Sequence, residues 1–216
     1  MSRMGRLFDR FRPARAAGTD AADRDAATPR WMIVGLGNPG EPYRRSRHNA
    51  GFMAVERMAA RRGAEFARRK FNGEYAETRD DGLLLMLVKP ATFYNLSGEC
   101  VAGIAGFFRI PPDRIIVIHD EMDLPAGQLR VKRGGGDAGN RGVRSIASAI
   151  GKDFTRVRVG VGHPEGPEGD VDYVLRPLSR AELAAFEPLF ERAGEAAIAV
   201  IHDGLERAMN RFNQRA

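Results

Sequence analysis

The chain has 216 residues, 43% of them hydrophobic, which suffices for one α/β domain with a full core. Its single cysteine, Cys100, excludes an intramolecular disulfide framework and a cysteine-rich metal site, and no apolar run approaches the roughly 18 residues that span a bilayer. The formal net charge of +6 is modest but segregated: residues 31–70 carry nine Lys/Arg against three Asp/Glu and residues 130–160 eight against two, whereas 71–129 carry four against nine and 161–216 six against ten. If the two basic segments meet, they form a positive face suited to a polyanion.

Residues 1–30 have few large apolar side chains after Phe11 and read as a flexible extension preceding a domain over 31–216. The basic amino terminus lacks the apolar centre of a secretory signal, and its aspartates weaken a faint likeness to an organelle-targeting peptide. Met32, Ile33 and Val34 open a strand that breaks at Gly35, Gly37, Pro39 and Gly40. Arg47, His48 and Asn49 follow, just before a helix over Ala50 to Arg62. Beyond the basic cluster Arg68, Arg69, Lys70, strands are expected at Glu74 to Thr78 and Leu83 to Lys89, joined by a turn at Asp80, Asp81, Gly82. The second strand is apolar on both faces and so interior. Next comes a helix from Ser97, its expected cap, to Phe108, in which Cys100 reads as a small buried hydrophobe. A strand at Arg114 to Asp120 ends in the densest polar cluster of the chain: His119, Asp120, Glu121, Asp123. A short strand at Gly127 to Lys132 leads to the flexible-looking RGGGDAGNRG, a helix at Val143 to Ile150 and a strand at Thr155 to Val161. After the loop GHPEGPEGD come a long helix at Ala181 to Ile201 and a last one, Gly204 to Phe212, with Asp203 as its expected cap. Alternating strands and helices indicate a single three-layer α/β domain, a twisted sheet flanked by helices.

Gly35, Gly37 and Gly40 satisfy GxGxxG, but as a dinucleotide signal this is weak: Pro39 and Pro42 remove amide donors, and no acidic strand end follows about 20 residues on. His48 can take a proton from water if a carboxylate holds its tautomer. Asp120 is the natural partner, because strand ends of an open α/β sheet converge on one crevice. His119 and Asp120 point to opposite faces of a strand and cannot share one metal ion, and Ser97 lies in NLSGE rather than GxSxG. A histidine-activated water is the simplest chemistry left.

The motifs VGLGNPG with RHNAG, KPATFYNLSGE, HDEMDLPAG, KRGGG, RVRVGVGHP and DGLERAMNRF, in this order from about Met32 to Arg211, resemble the bacterial peptidyl-tRNA hydrolase family. The resemblance implies cleavage of the ester between a peptide and the 3′ end of tRNA, a mixed sheet in one domain, and no metal or organic cofactor. It makes His48 the base and Asp120 its orienting carboxylate. Asn38, Tyr43, Phe93 and Asn95 would hold the peptidyl end, while Lys132 and Arg158 would clamp the tRNA 5′ phosphate. A cytoplasmic monomer whose partner is peptidyl-tRNA, without membrane association, is expected. Two departures stand out. Tyr94 replaces the usual Met and would change a wall of the peptide channel. Ala138, Gly139, Asn140, Arg141 and Gly142 stand for GGHNG, in the loop that contacts substrate. Either Asn140 swings in to bind substrate, or Arg141 binds a phosphate or stabilises the developing oxyanion. The alternative function is a non-catalytic RNA-binding relative.

Overall fold

The computed structural model describes residues 29–214. Seven strands form one sheet in the order β2-β3-β4-β1-β5-β7-β6. They are β1 (Arg30–Gly35), β2 (Arg68–Lys70), β3 (Gly73–Asp80), β4 (Leu83–Pro90), β5 (Ile115–Glu121), β6 (Leu129–Arg133) and β7 (Thr155–Gly160). β4, β1, β5 and β7 run parallel, and β2, β3 and β6 add antiparallel edges, so the sheet is mixed. The helices are α1 (Ala50–Arg61), α2 (Ser97–Phe108), α3 (Arg141–Ile150), α4 (Asp170–Leu175), α5 (Arg180–His202) and α6 (Leu205–Phe212).

Alternation along the central strands builds the three layers. Ile33, Ile116, Ile118, Val157 and Val159 pack with α1, α5 and α6 on one face, where Val55, Phe190 and Phe212 close the core. Met32, Val34, Val88, Ile115 and Val117 pack with α2 and α3 on the other, against Ile104, Ile146 and Phe154. β4 and β5 are interior, as their two-sided apolar runs require. Cys100 is buried among apolar side chains, and that burial pushes its thiol up to about 12, so it behaves as a hydrophobe.

The glycine loop after β1 serves close packing rather than phosphate binding. A Cβ on Gly51, in the first turn of α1, would lie 2.2 Å from the Ile118 carbonyl oxygen, and one on Gly35 2.2 Å from that of Gly51. The helix backbone therefore rests directly on the ends of β1 and β5, and the Leu36 amide donates to Ile118 O.

Several local expectations need correction. Ser97 is the first residue of α2, not its cap: its hydroxyl donates to Tyr94 O, because a 3-10 turn, Tyr94–Leu96, already leads into the helix. Asp203 ends α5, and Gly204, at φ 85°, is the residue before α6. The basic cluster Arg68–Lys70 is an edge strand, and α4 lies in what read as connecting chain. The loop RGGGDAGNRG is tied down. Arg156 donates to the Gly134 and Gly136 carbonyls, and Asp137 accepts from Gly139 N and Arg144. Of the extension expected over residues 1–30, residues 1–28 lie outside the described residues, and Arg30 already belongs to β1.

The two basic segments do not merge into one face. β2 and β6 occupy opposite edges of the sheet, and the cations of α1 are matched by acids of the later segment: Arg57 pairs with Glu187, and Arg61 with Glu191. Much of the charge alternation along the chain is thus intramolecular matching. A second cationic cluster lies on β6 and β7, where Arg130 is exposed, Lys132 and Arg158 are partly buried and Arg156 is buried.

Candidate active site

The loops after β1 and β4, the end of β5 and the start of α3 meet at the carboxyl end of the parallel strands, where open α/β sheets form their crevices. Asp120, 4% exposed, is delivered by β5; His48, 19% exposed, by a 3-10 turn, Arg47–Asn49, that runs into α1. His48 Nδ1 lies 2.9 Å from Asp120 Oδ2. With a carboxylate there, the proton sits on Nδ1, and Nε2 keeps its lone pair. Burial alone would raise the Asp120 carboxyl, but the neighbouring His48, with hydrogen bonds from His48 and Tyr94, holds it below the usual carboxylate range.

Tyr94 is buried beneath this pair. Its ring stacks on the imidazole at 3.6 Å and 16°, and its hydroxyl donates to Asp120 Oδ1 at 2.7 Å. Asn140 Nδ2 donates to the same hydroxyl at 3.0 Å, while Asn140 Oδ1 accepts from Val143 N and caps α3. Asn38 is held equally firmly. Its Oδ1 accepts from Tyr94 N, and two bonds of 2.9 Å tie its backbone to Asn49, whose Oδ1 accepts from Asn38 N and whose Nδ2 donates to Asn38 O.

The His48 turn is anchored from behind. Arg47, 5% exposed, lies 4.1 Å over the Tyr173 ring of α4 and 2.5 Å from Glu182 Oε1 of α5. Glu182 also completes a capping box with Ser179 and binds Arg176. Its carboxyl is held far below the ordinary glutamate value, first by the Arg176 hydrogen bond and then by Ser179. Glu182→Gln leaves Arg47 charged and buried, with an expected cost of about 2 kcal/mol, reduced from a fully buried pair because Glu182 is 30% exposed. The contribution of a depressed carboxylate is complete above its unfolded pKa and is lost as pH falls through the folded one. The difference in urea midpoint between wild type and variant should therefore stay constant from about pH 8 to 5 and shrink only in strong acid. A difference that vanishes by pH 6 would contradict this.

On one face of the β6–β7 edge, Arg130 lies opposite Arg158 and Lys132 opposite Arg156. Like charges placed directly across strands oppose sheet formation. Glu121, bound to Arg158 Nε at 2.8 Å, and the loop carbonyls on Arg156 offset part of that cost. Desolvation, then Arg156 and Arg158, lower the Lys132 ammonium's pKa, so an added anion would be favoured there.

A sequence model described as peptidyl-tRNA hydrolase matches residues 32–216. Peptidyl-tRNA hydrolase of Frankia alni is 46% identical over 184 residues, covering 85% of this chain and 93% of the relative. That of Thermus thermophilus is also 46% identical, covering 85% and 96%. A crystal structure of peptidyl-tRNA hydrolase from Acinetobacter baumannii superposes with a TM-score of 0.79 at 36% identity, covering 85% of this chain and 94% of that one. The chain belongs to the peptidyl-tRNA hydrolase family. The mixed sheet flanked by helices is the fold that this membership implies.

Of the residues singled out in the sequence, the structure joins His48, Asp120, Asn38 and Asn140 through hydrogen bonds that all pass through Tyr94 or Asp120. Phe93, 64% exposed, and Asn95, also exposed, flank Tyr94 on one loop, and half-buried Tyr43 ends the 3-10 turn Glu41–Tyr43 ahead of His48. Arg141 is exposed at the first position of α3 and makes no hydrogen bond or ion pair among the described residues. One expectation changes. Tyr94 forms no channel wall, because its ring lies under His48 rather than on the surface. Asn140, expected to swing in toward substrate, has both ends of its amide hydrogen-bonded within the protein in this structure. Sequence reasoning missed Arg130, which extends the cationic face, and Arg47, whose partner is 135 residues away. Among the described residues, no group of three or more His, Cys, Asp or Glu side chains is placed to hold a metal ion, and no helix is long and apolar enough to cross a membrane.

Proposed function

We propose that the chain hydrolyses the ester joining a peptide, or an N-blocked aminoacyl group, to the 3′ end of tRNA, with His48 as general base. The observation that carries the reading is the 2.9 Å contact of His48 Nδ1 with Asp120, in a partly exposed ring of a chain from this family. Nε2 takes a proton from water, the hydroxide attacks the ester carbonyl, and Asp120 stabilises the imidazolium. The proton then leaves with the 3′ oxygen of the tRNA. Asn38, Tyr43, Phe93 and Asn95 hold the peptidyl end, and Arg141 supplies a free cation beside it. No cofactor takes part, and the chain acts as a monomer.

The test is hydrolysis of N-acetyl-aminoacyl-tRNA beside free aminoacyl-tRNA. Cleavage of the blocked ester alone is expected; tRNA binding without cleavage would instead favour the RNA-binding alternative. Lys132 and Arg158 hold the tRNA 5′ phosphate, with Arg130 beside them on the same face. Phosphate contacts release counterions, so affinity should fall steeply with salt. Lys132→Ala is expected to weaken binding and to reduce the slope of log K against log salt by about one. An unchanged slope would remove Lys132 from the interface.

A further inference from the structure

We propose that Tyr94 is a positioning residue: with Asn140 it forms a directed hydrogen-bond chain, Asn140 to Tyr94 to Asp120, that fixes the carboxylate and the imidazole above it. The proposal rests on the reading of His48 as the base.

Direction follows from the donors. Val143 N donates to Asn140 Oδ1, so the amide must present Nδ2 to the phenol. The phenol oxygen accepts that hydrogen and has one of its own to give, which goes to Asp120 Oδ1. His48 Nδ1–H takes the other carboxylate oxygen. Burial and the charge of Asp120 hold the phenol well above the ordinary tyrosine value, so it remains a donor. The carboxylate thus receives one hydrogen bond on each oxygen, and both donors come from stacked rings.

Position follows from packing. A Cβ on Gly142 would fall 2.4 Å from the Tyr94 ring, so the backbone of α3 packs closely against the ring that stacks on His48. Tyr94 N donates to Asn38 Oδ1, which ties the same residue to the loop after β1. A ring that merely filled the core would need no hydroxyl with two polar partners. Moreover, Tyr94 and Asn140 are two of the positions at which the chain departs from the resembled motifs, and here they touch. Each departure makes sense given the other.

Three proteins test this: wild type, Tyr94→Phe, and wild type with 3-fluorotyrosine at position 94, a stronger donor of nearly the same size. The readouts are kcat and KM on N-acetyl-aminoacyl-tRNA, and the NMR resonance of the His48 Nδ1 proton. Tyr94→Phe keeps the stack and loses the phenol bond. Its kcat should fall about tenfold with KM within about twofold, since small misplacements of reacting groups are costly. With one donor gone, more carboxylate charge faces His48, so the proton resonance should move downfield. Fluorotyrosine should move it upfield.

An unshifted resonance in both variants overturns the proposal, and so does a change confined to KM, which would make Tyr94 a substrate contact. If Tyr94→Phe folds poorly, the fluorotyrosine shift alone decides. A wild type that fails to hydrolyse the ester, with the two variants still shifting the resonance in opposite directions, would refute the proposed reaction and leave the hydrogen-bond chain standing.

Discussion

Replacing His48 by alanine is expected to lower kcat on N-acetyl-aminoacyl-tRNA by about a thousandfold or more while tRNA affinity changes by less than about twofold. Four histidines occur in the chain, and the structure distinguishes them. His119 is buried and neutral, its pKa lowered first by desolvation, and its Nδ1 is committed to the Asp120 carbonyl. His202 pairs with Asp80, which faces the start of β4 and so lies at the opposite end of the sheet. His163 follows β7 on the same side as the site, but it is exposed and lies between Asp123 and Asp170. Only His48 combines a partly open ring with a buried carboxylate that orders its tautomer. His163→Ala is therefore the control and should retain wild-type turnover. Single-turnover hydrolysis with separate tRNA binding measures both quantities, and added imidazole should restore part of the rate by occupying the space above Tyr94. Turnover retained in His48→Ala would place the base elsewhere.

What could be read from the sequence follows from the range of the interactions involved. Strand and helix periodicity is local, so the interior character of β4 and β5 and the order of elements were legible. The His48–Asp120 pairing was legible for a topological reason: parallel strands bring their carboxyl ends together, even across 72 residues. Features fixed by distant partners were not. The burial of Tyr94 depends on Gly142 and His48, one beyond β5 and β6 and the other before α1, so a loop tyrosine read naturally as a surface wall. Arg47 looked like one more cation of a basic segment until α5 supplied Glu182. The same applies to the charge alternation, part of which the fold converts into pairs between α1 and α5. A three-residue edge strand and a six-residue helix, β2 and α4, are too short for periodicity to mark.

Asp120→Asn should cost about as much as losing the base, a drop in kcat near 10⁴-fold on the precedent of a triad whose aspartate is made an amide. The hydrogen-bond chain supplies the reason. Tyr94 donates to the oxygen at one end of residue 120, so an asparagine there must place its carbonyl toward Tyr94 and its NH₂ toward His48. Turning the amide round would leave the phenol hydrogen buried without an acceptor, a loss of about 1–3 kcal/mol. In the favoured orientation His48 Nδ1 must accept, the imidazole proton moves to Nε2, and the nitrogen facing water can no longer take a proton. The variant also lacks the charge that stabilises the imidazolium, so raising the pH should not restore the rate. Stability follows the same carboxylate. The folded Asp120 titrates below its ordinary range, so its contribution is complete above the unfolded pKa, near 4, and is lost as pH falls through the folded value. The midpoint gap between wild type and variant should therefore be flat from neutral pH to about 5 and close only below that. The NMR signal of the ring proton separates tautomer from charge: a proton found on Nε2 in Asp120→Asn establishes the orientation imposed by Tyr94. One retained on Nδ1 would show that the amide has turned, and the rate loss would then be due to the missing charge alone.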